Sequence, residues 1–404
     1  MQVNVRPQRT MQTATAVGFA RAPAQRRKSD LSVLHVGKYY PPARGGMESH
    51  LEVLSNELKG LVNLKLIVAN ESRRTVRESS DDLSLTRVGE VFKLQSAPIC
   101  PALIQELRKA KADIIHLHWP NPMAVVAYLL SGLKSKLVFT YHSDVVLQRK
   151  LALAFQPVLR RALDRASAII ATSPNYIETS DVLSAYKSKC RVIPFGVPTD
   201  YFEHCDSAKV KQIREQYGPQ IVLAVGRMVY YKGFEHLVRA MAVAKGRLLL
   251  IGQGPQRELL NRLAAELNIR ERIVFLNEVE DIRPYYHAAD IFVLPSVMRS
   301  EAFGIVQLEA MTCGKPVINT QIDSGVNFVS PNGVSGLTVP PADHLALGNA
   351  ISYLMERPYL RTKLGIGGRH RVALDFTVKR MVQQTLDLYE EVTRNCNGRE
   401  EVRS

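Results

Sequence analysis

From residue 31 onward, short and almost wholly apolar runs recur between amphipathic stretches, and this alternation constrains the fold more than any other feature. The runs fall at 31–36, 64–69, 113–118, 136–141, 168–172 and 191–195, then at 221–225, 247–251, 272–276, 291–294, 315–319 and 336–339. Strands apolar on both faces and joined by helices belong in parallel sheets covered on both sides. Each half therefore reads as a Rossmann-like doubly wound α/β domain, whose ligands bind beyond the carboxyl ends of the strands. A length of 404 residues agrees with two domains at about 100–200 residues each. Pro and Gly at 194–200 mark the boundary, giving an N-terminal domain over 30–199 and a C-terminal one over 200–375. A last helix over 377–394 carries an apolar stripe that either domain could bury.

With 46% hydrophobic and 23% charged residues the chain is globular, not largely disordered. The longest nearly apolar run, 123–133, falls short of the ~20 residues that span a bilayer. A net charge of +15 leaves nucleic acid, a membrane surface or an anionic small molecule as partners. Six of those charges lie in residues 1–29, which contain no acid and read as a disordered basic tail or an organelle transit peptide. Five scattered cysteines, without metal-ligand or redox spacing, fit a reduced cytoplasmic setting. His116 and His118 would share one face of a strand, but no further ligand follows at a supporting spacing, so no metal is expected.

Chemistry-bearing residues cluster where strands end. Gly45-Gly46, just before a helix, suits close approach of backbone amides to an anion, and equally suits an ordinary turn. His142 follows another strand, as a cleft residue or a structural one. Arg227 and Lys232, five residues apart on a strand–helix loop, suit a diphosphate: a planar fork and a point charge. Gly252 and Gly254 begin like a dinucleotide fingerprint but lack its third glycine. Glu301 and Glu309 flank a Phe303-Gly304-Ile305 turn that opens a helix, whose first amides favour a phosphate. Glu309 sits among apolar neighbours, either on an exposed flank or bonded to something polar such as sugar hydroxyls.

Taken in order, these segments resemble the family-four retaining glycosyltransferases (glycosyl transferases group 1) of the GT-B fold. The likeness runs over 31–394 and rests on Gly-Gly-Met-Glu at 45–48, Thr-Tyr-His-Ser-Asp at 140–144 and Gly-Arg-x4-Lys-Gly at 226–233. It also rests on Ile-Gly-Gln-Gly-Pro at 251–255, the paired Glu301 and Glu309, Gly-Lys-Pro-Val-Ile at 314–318 and Gly-Leu-Thr-Val at 336–339. Ala302 departs from the Ser or Gly of many members. The resemblance implies two facing Rossmann-like domains with a cleft between them, and a final helix over 376–395 that crosses back onto the first. It implies a nucleotide-diphosphate sugar donor on the C-terminal domain and a glycan or lipid-linked acceptor on the N-terminal one, with no metal or other cofactor. Arg227 and Lys232 would hold the diphosphate, Gly45 and Gly46 would approach it from the other domain, and Gly252 and Gly254 would line the donor site. Glu301, with the Phe303-Gly304-Ile305 backbone beside it, would contact the donor sugar, Glu309 the ribose, and His142 the reacting centre.

The segments around His142 and at 313–320 look like bacterial surface-polysaccharide enzymes, some of which use GDP-mannose; a UDP-hexose is the alternative donor. The base pocket is expected near 277–280. Residues 131–168 hold seven cations against two acids among leucines, so this segment is either a peripheral contact with an anionic membrane or a soluble basic face. Two other activities on this fold, sugar-nucleotide epimerisation and glycan phosphorolysis, stay as rivals. A dehydrogenase is weakened by the broken glycine pattern, and a nucleic-acid binder by the lack of any reader motif.

Overall fold

The computed structural model describes residues 28–43, 45–80, 83–95, 97–144 and 149–394, the side chains of residues 149 and 150 excepted. The basic tail, apart from its last two residues, lies outside this range.

The first half supplies β1 (Ser32–Val36), β2 (Asn63–Asn70), β3 (Val76–Ser80), β4 (Leu83–Gly89), β5 (Phe92–Leu94), β6 (Ala97–Ile99), β7 (Ile114–Trp119), β8 (Lys136–Tyr141), β9 (Ala166–Ala171) and β10 (Cys190–Val192). Eight of these form one sheet in the order β10-β9-β8-β7-β1-β2-β4-β3, while β5 and β6 make a separate ribbon. Pairing is parallel throughout the sheet except for β3, which runs antiparallel to β4 at the edge. The second half supplies β11 (Ile221–Val225), β12 (Arg247–Ile251), β13 (Ile273–Leu276), β14 (Ile291–Leu294), β15 (Val317–Thr320) and β16 (Gly336–Val339). These form an all-parallel sheet in the order β13-β12-β11-β14-β15-β16. Each sheet has a separate apolar cluster on each face, as strands with no polar side require.

Two details depart from expectation. The segment at 191–195 pairs only as Cys190–Val192, because Pro194 has no N–H to donate and the chain leaves the sheet. Strands β3 to β6 were not expected: β3 is fully exposed, so no apolar run announces it. The final helix, Val378–Arg394, buries Met381, Val382, Thr385, Leu386, Tyr389 and Val392, and its apolar side chains join the cluster of β1, β2 and the helix Gly46–Leu58. It thus packs on the first sheet, and where it begins, Thr377 pairs with Val197 of the outgoing connection.

Both sheets reverse their winding at one strand. In the first, β1 lies between β2 and β7; in the second, β11 lies between β12 and β14. Ligands of open α/β sheets sit outside the carboxyl ends of strands at such switch points. The loops leaving β1 and β11 carry Gly45-Gly46 and Arg227…Lys232.

Candidate active site

A surface depression of about 840 Å³, lined by Asp30, Asp113, Lys134 and Lys136 among others, lies at the amino-terminal ends of β1, β7 and β8. Strand polarity puts it at the opposite edge from the motif residues, so it is not their cleft.

At the carboxyl ends of β11 and β14, Lys232 and Glu301 meet. Lys232 Nζ lies 2.5 Å from Glu301 Oε2, and both side chains are about nine-tenths buried. The Ser296 hydroxyl donates to the same carboxylate oxygen at 3.1 Å. Arg227 on the same loop is exposed, and its side chain makes no ion pair or hydrogen bond among the described residues. Its charge reaches across to the first sheet's side. Burial pulls the Lys38 ammonium below its usual range, Glu48 opposes this, and Arg227 adds to it. Burial likewise raises the Glu48 carboxyl, against the pull of Lys38 and Arg227. The cleft edge between the halves therefore carries Arg227, Lys38 and Glu48 within electrostatic reach of one another.

Gly45 is the N-terminal cap of the helix Gly46–Leu58, and a Cβ there would collide with the Glu48 carboxylate. Glu48, assigned no role from sequence, thus lies over the amides expected to greet a phosphate. Gly46 faces open space. Gly252 and Gly254 let the loops after β11 and β12 run side by side: a Cβ on either would strike the backbone of Gly226 or Met228. The Met228 N–H donates to the Gln253 carbonyl at 2.7 Å, so these two glycines help hold the loop that carries Arg227.

Gly304, at φ 75°, caps the helix Ile305–Thr312. Phe303 is buried against Phe195 of the first half, with ring centroids 5.1 Å apart. Ile305 is half-buried, and Glu309, one turn on, accepts a 2.6 Å hydrogen bond from the buried Tyr286 hydroxyl. Burial raises the Glu309 carboxyl above its usual range while the Tyr286 bond opposes the shift. Of the two sequence alternatives for Glu309, a polar partner is present within the protein. Asn277, at the expected base pocket, accepts from Arg257 at 2.8 Å.

His142 is buried at the end of β8, and its Nε2 shares a 3.0 Å hydrogen bond with His118 Nδ1. His35, His50, His116 and His118 surround it, all buried. His116 and His118 do stack on one face, 4.6 Å apart. The other three rings come from elements distant in sequence, which is why spacing along the strand did not find them. Two triads, His35–His116–His118 and His50–His118–His142, bring ligand atoms within 4.8 Å of one another.

Sequence reasoning also passed over Arg299, two residues before Glu301. Its guanidinium lies 2.8 Å from the Asp144 carboxylate and donates to the Thr179 carbonyl at 2.6 Å, both in the first half. Asp144 is itself held by the Tyr141 and Ser180 hydroxyls, at 2.8 and 2.9 Å. The Thr179 hydroxyl returns a bond to Asp323.

This frame matches known proteins along most of its length. The model described as "Glycosyltransferase Family 4" matches residues 44–201, and "Glycosyl transferases group 1" matches 206–371. D-rhamnosyltransferase WbpZ of Pseudomonas aeruginosa is 36% identical over 71% of this chain and 76% of its own length. O-antigen chain mannosyltransferase C of Escherichia coli is 31% identical over 89% of this chain and 98% of its own. The chain belongs to the group 1 glycosyltransferases. Among solved structures, sucrose-phosphate synthase of Thermosynechococcus elongatus superposes with a TM-score of 0.74 at 25% identity, covering 90% of this chain and all of that one. The group 1 glycosyltransferase described here therefore has the GT-B fold, and the rival readings as epimerase, phosphorylase or nucleic-acid binder gain no support from its relatives. Among its described residues, no helix is long and apolar enough to cross a membrane.

Proposed function

We propose that this enzyme is a retaining, metal-independent hexosyltransferase that moves a manno-configured sugar from a nucleoside-diphosphate donor to a growing surface glycan or lipid-linked acceptor. The observation that carries the reading is the exposed Arg227, whose side chain is unpaired among the described residues, beside the buried Lys232–Glu301 pair at the switch point of the second sheet. The manno configuration comes from the two relatives, whose names specify mannose and D-rhamnose, its 6-deoxy form. GDP-mannose is thus favoured over a UDP-hexose.

In this reading residues 200–375 bind the donor and residues 30–199, with the returning helix, bind the acceptor. Arg227 grips diphosphate oxygens, and Lys232, oriented by Glu301, stabilises the charge that builds as the anomeric bond breaks. Positive side chains here take the part a divalent ion plays elsewhere. The acceptor attacks from the face the phosphate leaves, and the departing phosphate oxygen takes the acceptor's proton. Glu301 also contacts sugar hydroxyls beside the Phe303-Gly304-Ile305 backbone, Glu309 the ribose, and His142 the sugar at the reacting centre. Gly45 and Gly46 approach the phosphates once Glu48 gives way, and Gly252 and Gly254 shape the donor loop.

Closure would exclude water from this site. Arg299 and Asp144 link the halves, so Arg299→Ala is expected to raise the donor KM about tenfold, or ~1.4 kcal/mol. That is near the low end for a hydrogen bond to a charged group. Steady-state kinetics check this, and an unchanged KM would remove Arg299 from the closing mechanism.

The enzyme would work in the cytoplasm, peripherally on the membrane. On the helix Arg149–Arg165, Leu151 and Leu153 are exposed, as are Arg160 and Arg161 two to three turns further on, whereas Leu159 and Leu163 are buried. Exposed leucines and arginines on one helix suit an anionic lipid surface. The protein should float with vesicles rich in anionic lipid at low salt, and Leu151→Glu/Leu153→Glu should abolish this; sedimentation free of lipid would count against docking.

The decisive test is a donor panel: GDP-mannose, UDP-glucose and ADP-glucose, each with and without a lipid-linked acceptor extract. Release of GDP that depends on the extract supports the proposal. Release of UDP alone would overturn the choice of donor, and no transfer with any donor would overturn the reading itself.

A further inference from the structure

Five buried rings and two hydroxyls form one unbranched hydrogen-bond chain plus a flanking histidine. It begins at Thr140, whose hydroxyl lies 2.6 Å from His116 Nε2. His116 Nδ1 lies 2.6 Å from the Tyr389 hydroxyl, which lies 2.9 Å from His35 Nε2. His35 Nδ1 is 2.9 Å from His118 Nε2, and His118 Nδ1 is 3.0 Å from His142 Nε2. His142 Nδ1 ends the chain without a partner among the described residues. His50 packs on His118 and His142 but, among the described residues, joins no hydrogen bond in the series.

A neutral imidazole has one N–H and one bare nitrogen, so each bond fixes the direction of the next. Burial keeps these rings neutral by lowering their proton affinity. Only two directions are then open to the whole chain. In one, every hydrogen points away from Thr140: its hydroxyl donates to His116, and the surplus N–H sits on His142 Nδ1. In the other, every hydrogen points back, and the surplus proton sits on the Thr140 hydroxyl. Thr140 is 1% exposed and its hydroxyl has no other hydrogen-bond partner among the described residues, so that proton would have no acceptor there. His142 is buried too, and its Nδ1 has no partner among the described residues, but it packs on Phe195, which meets Phe303 of the second half. A proton at that end is beside the interdomain cleft, where a water in the free protein or a ligand oxygen in the complex can accept it.

We propose that Thr140, His116, Tyr389, His35 and His118 are positioning residues that lock His142 in its Nδ1–H form, so that it offers the donor sugar an N–H and not a lone pair. This rests on the reading that sets His142 beside the sugar. It makes His142 a hydrogen-bond donor to a sugar oxygen and bars it from acting as a general base through Nδ1. It also gives the returning final helix a chemical task, because among the described residues Tyr389 alone bridges His116 and His35 by hydrogen bonds. A metal ion bound by His50, His118 and His142 fits less well, since both nitrogens of His118 are already engaged.

Long-range proton–nitrogen correlation spectra of the full-length protein, labelled with ¹⁵N-histidine, test this directly. His35, His116, His118 and His142 are each expected to carry the proton on Nδ1, opposite to the form a free neutral histidine prefers. Thr140→Val removes the hydroxyl that sets the direction; it should release His142 to a mixture of forms and lower kcat/KM on the order of 10-fold, with Thr140→Ser restoring both. Tyr389→Phe cuts the chain elsewhere and should release His142 in the same way. A proton on His142 Nε2 in the unmodified protein, or a His142 form indifferent to both substitutions, would overturn the proposal. So would stoichiometric shifts of His50, His118 and His142 on adding zinc. The spectra are recorded without substrate, so they judge the chain itself, whereas turnover by His142→Ala judges the site it serves.

Discussion

Replacing Lys232 with alanine is expected to lower kcat about 10²–10³-fold, or ~2.7–4 kcal/mol of barrier, the effect of losing one pre-aligned donor to developing charge. Two losses add in this substitution. In the proposed mechanism the ammonium at the breaking bond disappears, and Glu301, nine-tenths buried, keeps only the Ser296 hydroxyl as a side-chain partner among the described residues. Lys232→Arg should restore little, because a planar fork cannot replace a point charge in a space shaped for one. The pair can be tested as a unit: in Lys232→Ala/Glu301→Gln the combined loss should fall well short of the product of the single losses. Nucleoside diphosphate release under saturating donor measures Lys232→Ala, Lys232→Arg, Glu301→Gln and the double variant, and thermal melts show whether they fold. A Lys232→Ala protein with unchanged turnover would reduce Lys232 to a structural counter-ion and remove the proposed mechanism with it.

The second large effect is on stability in acid. His35 and His50 are pushed down to about 3 from an ordinary 6.5 by burial, with His50 adding a small repulsion at His35. His116, His118 and His142 are lowered well below 6.5 by the same burial. Above pH 6.5 these rings are neutral in folded and unfolded chains alike, so they add no pH dependence. Below it the unfolded chain takes up protons that the folded one refuses, and stability falls with pH until the folded values are reached. Over the first unit below pH 6.5, where the unfolded form is still partly neutral, each site contributes about 1 kcal/mol, so five together remove ~5 kcal/mol. That is comparable to the whole stability of an ordinary domain, ~5–15 kcal/mol. Burial raises Glu48 and Glu309 above 4.5, which offsets part of the loss at lower pH, since these carboxyls gain protons more readily when folded. Urea unfolding at pH 7.5 and 5.5 should show a sharply lower midpoint in the more acidic buffer. Coincident curves would mean that the cluster opens to water or protonates in place.

Much of the site was legible because its residues lie on loops after apolar strands, and strand polarity alone puts those loops on one edge. Arg227, Lys232 and Glu301 were proposed that way, and the structure puts all three on that edge. The pairing of Lys232 with Glu301 was not, since 69 residues separate them in the chain and only the adjacency of β11 and β14 joins them. Gly252 and Gly254 read as ligand-binding glycines, yet the contact that demands them is a neighbouring loop. Glu48 and Arg299 carry ordinary charges in ordinary patterns. Their importance comes from what faces them across the cleft.

The alternation of apolar strands and amphipathic helices determined the two sheets, their parallel pairing and the edge that carries the chemistry, because burial on both faces leaves a strand few alternatives. Tertiary structure alone decided which sheet receives the final helix, since its apolar stripe would satisfy either. It alone gathered His35, His50, His116, His118 and His142, whose meeting depends on strand order and on Tyr389 arriving from the far end of the chain. Periodicity records what each segment must bury; it does not record against what.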